Sequence, residues 1–129
     1  VKFNNWGCVN MCSIKLLGDS KVVSLLEELK NELQKLYGKY LKDIILYGSY
    51  ARGDYDSESD IDIMVLVDLN DVEQRKYRDI LAEKVTDISI KYDVLISLID
   101  NNYEDFYIRT SYVPFYKNVI REGIKVYAN

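Results

Sequence analysis

Apolar positions along the chain follow two rhythms. Val22, Leu25, Leu26, Leu29, Leu33 and Leu36 recur every three or four residues, with Glu27, Glu28, Lys30, Asn31 and Lys35 between them. That spacing predicts an amphipathic helix packed on one face. Asp19 or Ser20 is its N-cap and Gly38 its stop. A second helix is predicted over 72–90, with Tyr77, Ile80, Leu81, Val85 and Ile88 on its inner stripe. A third begins at Pro114, a residue suited to a first helical turn, runs through Arg121 and is ended by Gly123. Between the helices lie short β-prone runs, read as strands over 43–47, 60–67 and 93–99, with a short last one over 124–127. From Ile63 the second run is continuously apolar, as in a strand buried on both faces. Residues 100–112 read as a loop with a short helix.

This alternation predicts an α/β (α+β) domain with a small mixed β-sheet flanked by α-helices. A chain of 129 residues makes one compact domain. Residues 1–18 are patternless and read as a lead-in, which leaves 19–129 as the single domain.

Composition narrows the chemistry. Hydrophobic residues make up 48%, enough for a real core. The net charge of −4 argues against general nucleic-acid binding, which calls for a basic face. It leaves room for a local nucleotide, because a metal ion brings positive charge of its own. Histidine is absent, so proton transfer falls to a carboxylate, lysine, tyrosine or water. Cys8 and Cys12 form a lone C-x3-C pair, which does not make a zinc site. No apolar run reaches membrane-spanning length, and the N-terminus lacks a signal-peptide layout, so a cytoplasmic protein is expected.

The densest chemistry lies between Leu46 and Val67. Gly48-Ser49 follows the apolar run Ile44-Ile45-Leu46-Tyr47. Small residues at a strand end let backbone N–H groups meet an anion. Asp60-Ile61-Asp62 then opens the next apolar run. Strand alternation sends both carboxylates to one face, where their repulsion calls for a divalent cation such as magnesium. Taken separately, the first is often a plain turn and the second a solvated edge. Asp93 opens the third run as Asp60 opens the second, and reads either as a third metal carboxylate or as a strand cap facing water. Arg52 suits a phosphate or a structural ion pair with Asp54 or Asp56. Tyr50 and Tyr55 flank the stretch, placed for a nucleotide base or for packing. The acids of the intervening loop, Asp54, Asp56 and Glu58, read as solvated.

Together, Gly48, Ser49, Ala51, Arg52, Gly53, Ser59, Asp60, Ile61 and Asp62 resemble the motif of the DNA polymerase beta-like nucleotidyltransferases. The resemblance is closest to the minimal, MNT-type members. It implies the nucleotidyltransferase fold and a site with Asp60, Asp62 and Asp93 as catalytic metal ligands for two magnesium ions. Gly48, Ser49, Arg52 and Ser59 are its candidate nucleotide-binding residues, with Asp93 the candidate proton acceptor. ATP is the implied substrate. A domain this small needs its acceptor from elsewhere. The resemblance implies an antitoxin that transfers AMP to a tyrosine hydroxyl of a HEPN-type ribonuclease toxin. Two rival readings stand beside it: an antitoxin acting by binding alone, and a small-molecule transferase of the aminoglycoside-modifying type. The sequence leaves open whether the chain forms a homo-oligomer or a hetero-oligomer.

Overall fold

The computed structural model describes residues 19–129; the expected lead-in over 1–18 and the pair Cys8 and Cys12 lie outside them. In chain order the elements are α1 (Ser20–Tyr37), a single 3-10 turn (Gly38–Tyr40), β1 (Leu41–Tyr47) and α2 (Ser49–Arg52). They continue with β2 (Ile61–Val67), α3 (Asp71–Tyr92), β3 (Ile96–Asn102), α4 (Tyr103–Arg109), α5 (Pro114–Glu122) and β4 (Ile124–Ala128). The sheet runs β3-β2-β1-β4. β1 pairs antiparallel with β2 and β4, whereas β2 and β3 are parallel, so the sheet is mixed as expected.

Helix α1 forms for the reasons its sequence announces. Asp19 accepts from the Lys21 and Val22 amides at 3.0 and 3.3 Å, and Gly38 follows the last turn at φ 56°. Its stripe of Val22, Leu25, Leu26, Leu29 and Leu33 is fully buried. Burying each leucine contributes roughly 2 kcal/mol. The stripe packs with Leu41, Ile44 and Leu46 of β1, with Ile61, Ile63, Val65 and Val67 of β2, and with Leu81 and Ile88 of α3. The opposite sheet face presents Ile45, Tyr47, Met64 and Leu66 to Phe106 of α4 and Val119 of α5. Helices therefore cover both faces, and β2 is buried throughout from Ile63 to Val67.

Helix α3 departs from expectation within its stripe and at its C-terminus. Ile80 is exposed, and Gln74 is buried with its amide donating to the Leu69 carbonyl at 3.0 Å. At its C-terminus the helix overruns the predicted end and continues to Tyr92. Lys91 and the Tyr92 hydroxyl both reach Glu28 of α1 at 2.9 Å, which holds the extra turn. Strand β3 consequently starts at Ile96, and Asp93 does not open it. Asp93 is instead the helix C-cap, in the left-handed region at φ 54° and ψ 48°. Among the described residues no helix is long and apolar enough to cross a membrane.

Candidate active site

The site gathers where β1 ends and β2 begins. Their antiparallel register sets Tyr47 opposite Asp62, and the parallel register of β3 sets Ser97 on Asp62's other side. Ile61 is fully buried against the α1 side, so Asp62, next along the strand, takes the opposite face, the one covered by α4 and α5, while Asp60 lies just before the strand. Both carboxylates are half-buried. Burial first, and then the charge of Asp60, pushes the Asp62 carboxyl above its ordinary value; Arg52 pulls it back down and Glu122 pushes it up. Burial, followed by Asp62, pushes the Tyr47 phenol up to about 12, so it stays protonated at neutral pH.

Gly48 is needed here for two reasons. Its φ of 76° is one that other residues rarely adopt, and a Cβ on it would collide with the Asp62 carboxylate. The turn thus lets Asp62 close against the loop backbone. Ser49, Tyr50, Ala51 and Arg52 then form α2, ended by Gly53 in the left-handed region.

Most loop residues expected to meet a nucleotide have protein partners as well. The Gly48 N–H donates to Glu122 Oε1 at 3.3 Å. Arg52 donates from Nη1 to the same oxygen at 2.9 Å and from Nε to Asp54 at 3.2 Å. Of the two readings for Arg52, the ion pair with Asp54 is present, joined by a second carboxylate. The Ser59 hydroxyl donates to Asp56 at 3.3 Å and accepts from the Asp56 amide at 3.0 Å, closing the loop's turn. The Ser49 hydroxyl has no hydrogen-bond partner among the described residues. Tyr50 and Tyr55 stack at 4.0 Å, and Tyr55 donates to Asp19 at 3.4 Å, so they staple the loop to the start of α1.

On the far side of β2 from Gly48, an open groove of about 410 Å³ is lined by Ser59, Asp60, Ser89, Asp93 and Leu95, among others. Asp60 and Asp93 therefore border one groove. Among the described residues, however, no three acids, cysteines or histidines are gathered closely enough to hold a metal ion. The structure brings Asp60 and Asp62 together and puts Asp93 on the helix cap that borders the same groove as Asp60. The residue the sequence reading missed is Glu122. It is 74 residues from Gly48. One local signal pointed to it: an acid in the last turn of a helix opposes the helix dipole.

The paired carboxylates fit magnesium. They are hard oxygen donors, and to the burial that chiefly raises Asp62 the charge of Asp60 adds repulsion that a cation would relieve. Magnesium is commonly held by one or two carboxylates together with substrate phosphates. An acid pair where β2 begins, beside a glycine-serine loop on a mixed sheet between two helical layers, agrees with the nucleotidyltransferase fold that the motif resemblance implies. Residues 26–126 match the family described as the nucleotidyltransferase domain, and the chain belongs to it.

Two Methanocaldococcus jannaschii proteins are similar along most of the chain. One, named Putative protein adenylyltransferase MJ0141, is 33% identical over 106 residues, covering 82% of this chain and 99% of the relative. The other, named Putative protein adenylyltransferase MJ0604, is 37% identical over 102 residues, covering 79% and 94%. A crystal structure described as a toxin-antitoxin with AMP-PNP shares the fold, with a TM-score of 0.53 at 24% identity, over 80% of this chain and 73% of that one. The chain is thus a nucleotidyltransferase.

Proposed function

We propose that this nucleotidyltransferase moves AMP from ATP to a tyrosine hydroxyl of a HEPN-type ribonuclease toxin, and acts in the cytoplasm as that toxin's antitoxin. The observation that carries the chemistry is the Asp60–Asp62 pair, with Asp62 closed against Gly48. The names of the two Methanocaldococcus jannaschii relatives support a protein acceptor. The toxin and its tyrosine come from the motif resemblance.

In this reading Asp60 and Asp62 hold magnesium, and Ser49 and Arg52 contact the triphosphate. When bound, magnesium supplies charge neutralisation on the phosphates and acidifies the attacking hydroxyl. The acid pair accounts for the protein ligands of one ion; the second of the expected two would rest on nucleotide phosphates, and on Asp93 only where the bound nucleotide draws it in. The acceptor oxygen bonds to the α-phosphorus, the bond from that phosphorus to the bridging oxygen breaks, and pyrophosphate leaves. With histidine absent, the hydroxyl proton passes to Asp93 or to water. The sheet order places β2 and its acids between the loop after β1 and the groove beside β3. In-line transfer needs that separation of leaving group and acceptor.

The test is intact mass of a HEPN-type toxin after incubation with this chain, ATP and magnesium, with Asp60→Asn as control. Added mass in steps of one AMP, absent from the control, is the expected result. A stable complex that silences the ribonuclease without added mass would replace transfer by binding alone.

A further inference from the structure

Glu122 ends α5, half-buried, and its Oε1 accepts from both the Gly48 N–H and the Arg52 guanidinium. Nothing local favours it there. It lies in the last turn of its helix, against the dipole, and its charge adds to the repulsion already felt by Asp62. What holds it are the two donors of the loop after β1. The contact joins that loop to the last helix, which leads through Gly123 into β4, the strand paired along β1.

We infer that Glu122 is a positioning residue for nucleotide binding, acting through Gly48 and Arg52. This rests on the proposed transferase reading and adds to it. The carboxylate fixes the backbone of Gly48, which carries Ser49, and holds one arm of Arg52 while Asp54 holds Nε. A guanidinium carries five N–H donors in a planar fork, so the remaining ones are left for phosphate oxygens in a set orientation. The Gly48 N–H is spent on the protein's own carboxylate. The triphosphate is therefore assigned to Ser49 and Arg52, and the glycine serves as the pivot.

The experiment compares wild type, Glu122→Gln and Glu122→Ala in three readouts: Tm, the Gly48 amide signal in an amide NMR spectrum, and titration with magnesium and a fluorescent ATP analogue. Gln retains an oxygen that accepts from both donors, and Ala removes it. Expected are a displaced Gly48 signal and at least about fivefold weaker nucleotide binding in Glu122→Ala, with Glu122→Gln within about twofold of wild type. A Tm loss in Glu122→Ala with nucleotide affinity unchanged would reduce the residue to a structural brace and overturn the inference alone. Tighter binding in both variants would also overturn it, because the carboxylate would then compete with phosphate. A wild-type chain that bound no nucleotide would overturn the proposed function and the inference together.

Discussion

Asp43 on β1 and Asp62 on β2 lie on the same face of adjacent strands, yet their surroundings are opposite. Asp43 is only 2% exposed. The Tyr107 hydroxyl donates to it at 2.8 Å, and Lys125 sits 3.4 Å from its other oxygen. Burial followed by Asp43 pushes the Tyr107 phenol far up, so the hydroxyl stays a donor. Asp62 is less buried and worse provided for: Asp60 and Glu122 face it with like charge, and Arg52 is shared with two other carboxylates. A buried acid with its own cation and hydroxyl is a structural tie, here joining β1 to α4 and β4. An acid left among acids at a glycine turn fits the cation site of the proposed function. Burial alone does not make that distinction.

The largest expected effect is on transfer. Asp62→Asn should lower the rate about 10³-fold, the several kcal/mol that a metal contributes to phosphoryl chemistry. The same change should raise the Tm of the metal-free protein. The sign follows from linkage. Asp62 has a raised folded pKa, so its ionised form costs stability at neutral pH, and that cost fades as pH falls through the folded value. Asn removes it. Transfer assays with thermal melts check both. A drop in Tm would mean that Asp62 is structural after all. Since magnesium binds the ionised acid, magnesium titrations of the protein should show affinity weakening as pH falls toward the raised Asp62 value.

Asp43→Ala should do the reverse. It leaves the Tyr107 hydroxyl without its acceptor and removes the buried carboxylate from Lys125, at about 3 kcal/mol of stability. Transfer per folded molecule should change less than about threefold, since none of these groups lies at the Gly48 end of β1. Denaturant melts and rates normalised to folded protein separate the two. Transfer lost beyond the folded fraction would tie the buried cluster to the site and dissolve the contrast.

Much of this was legible in the chain, and the exceptions have causes. The leucine stripe of α1, with its Asp19 cap and Gly38 stop, needed no tertiary information. Nor did the loop motif, because Gly48 and the Asp60–Asp62 pair lie within one stretch. The start of β3 was misplaced because Lys91 and Tyr92 are held in helix by Glu28, 63 and 64 residues away. The inner stripe of α3 missed Gln74 because its side chain is satisfied by a carbonyl just before the helix, which makes a polar residue cheap to bury. Asp43 drew no notice for the same reason in stronger form: its partners come from α4 and β4. Tyr50 and Tyr55 carried two readings from sequence, and their stacking on each other supplies the packing one.

Asp93 is the third acid and fits neither side of the contrast. It is exposed, lacks the partners of Asp43 and forms no metal-holding group with the Asp60–Asp62 pair, but it borders the groove that Asp60 lines. Its left-handed backbone is one that Asn adopts well, so Asp93→Asn removes the charge with the cap intact. If it takes the acceptor proton, kcat should fall about 10²-fold, the lower end for a positioned base and less than for Asp62→Asn. Nucleotide affinity should hold, because the phosphates meet the loop on the other side of β2. Single-turnover transfer alongside nucleotide titration reads both. A loss equal to that of Asp62→Asn, with weakened nucleotide binding, would mean that the bound nucleotide draws Asp93 into the metal site. An unchanged rate would leave the proton to water and make Asp93 a helix cap only.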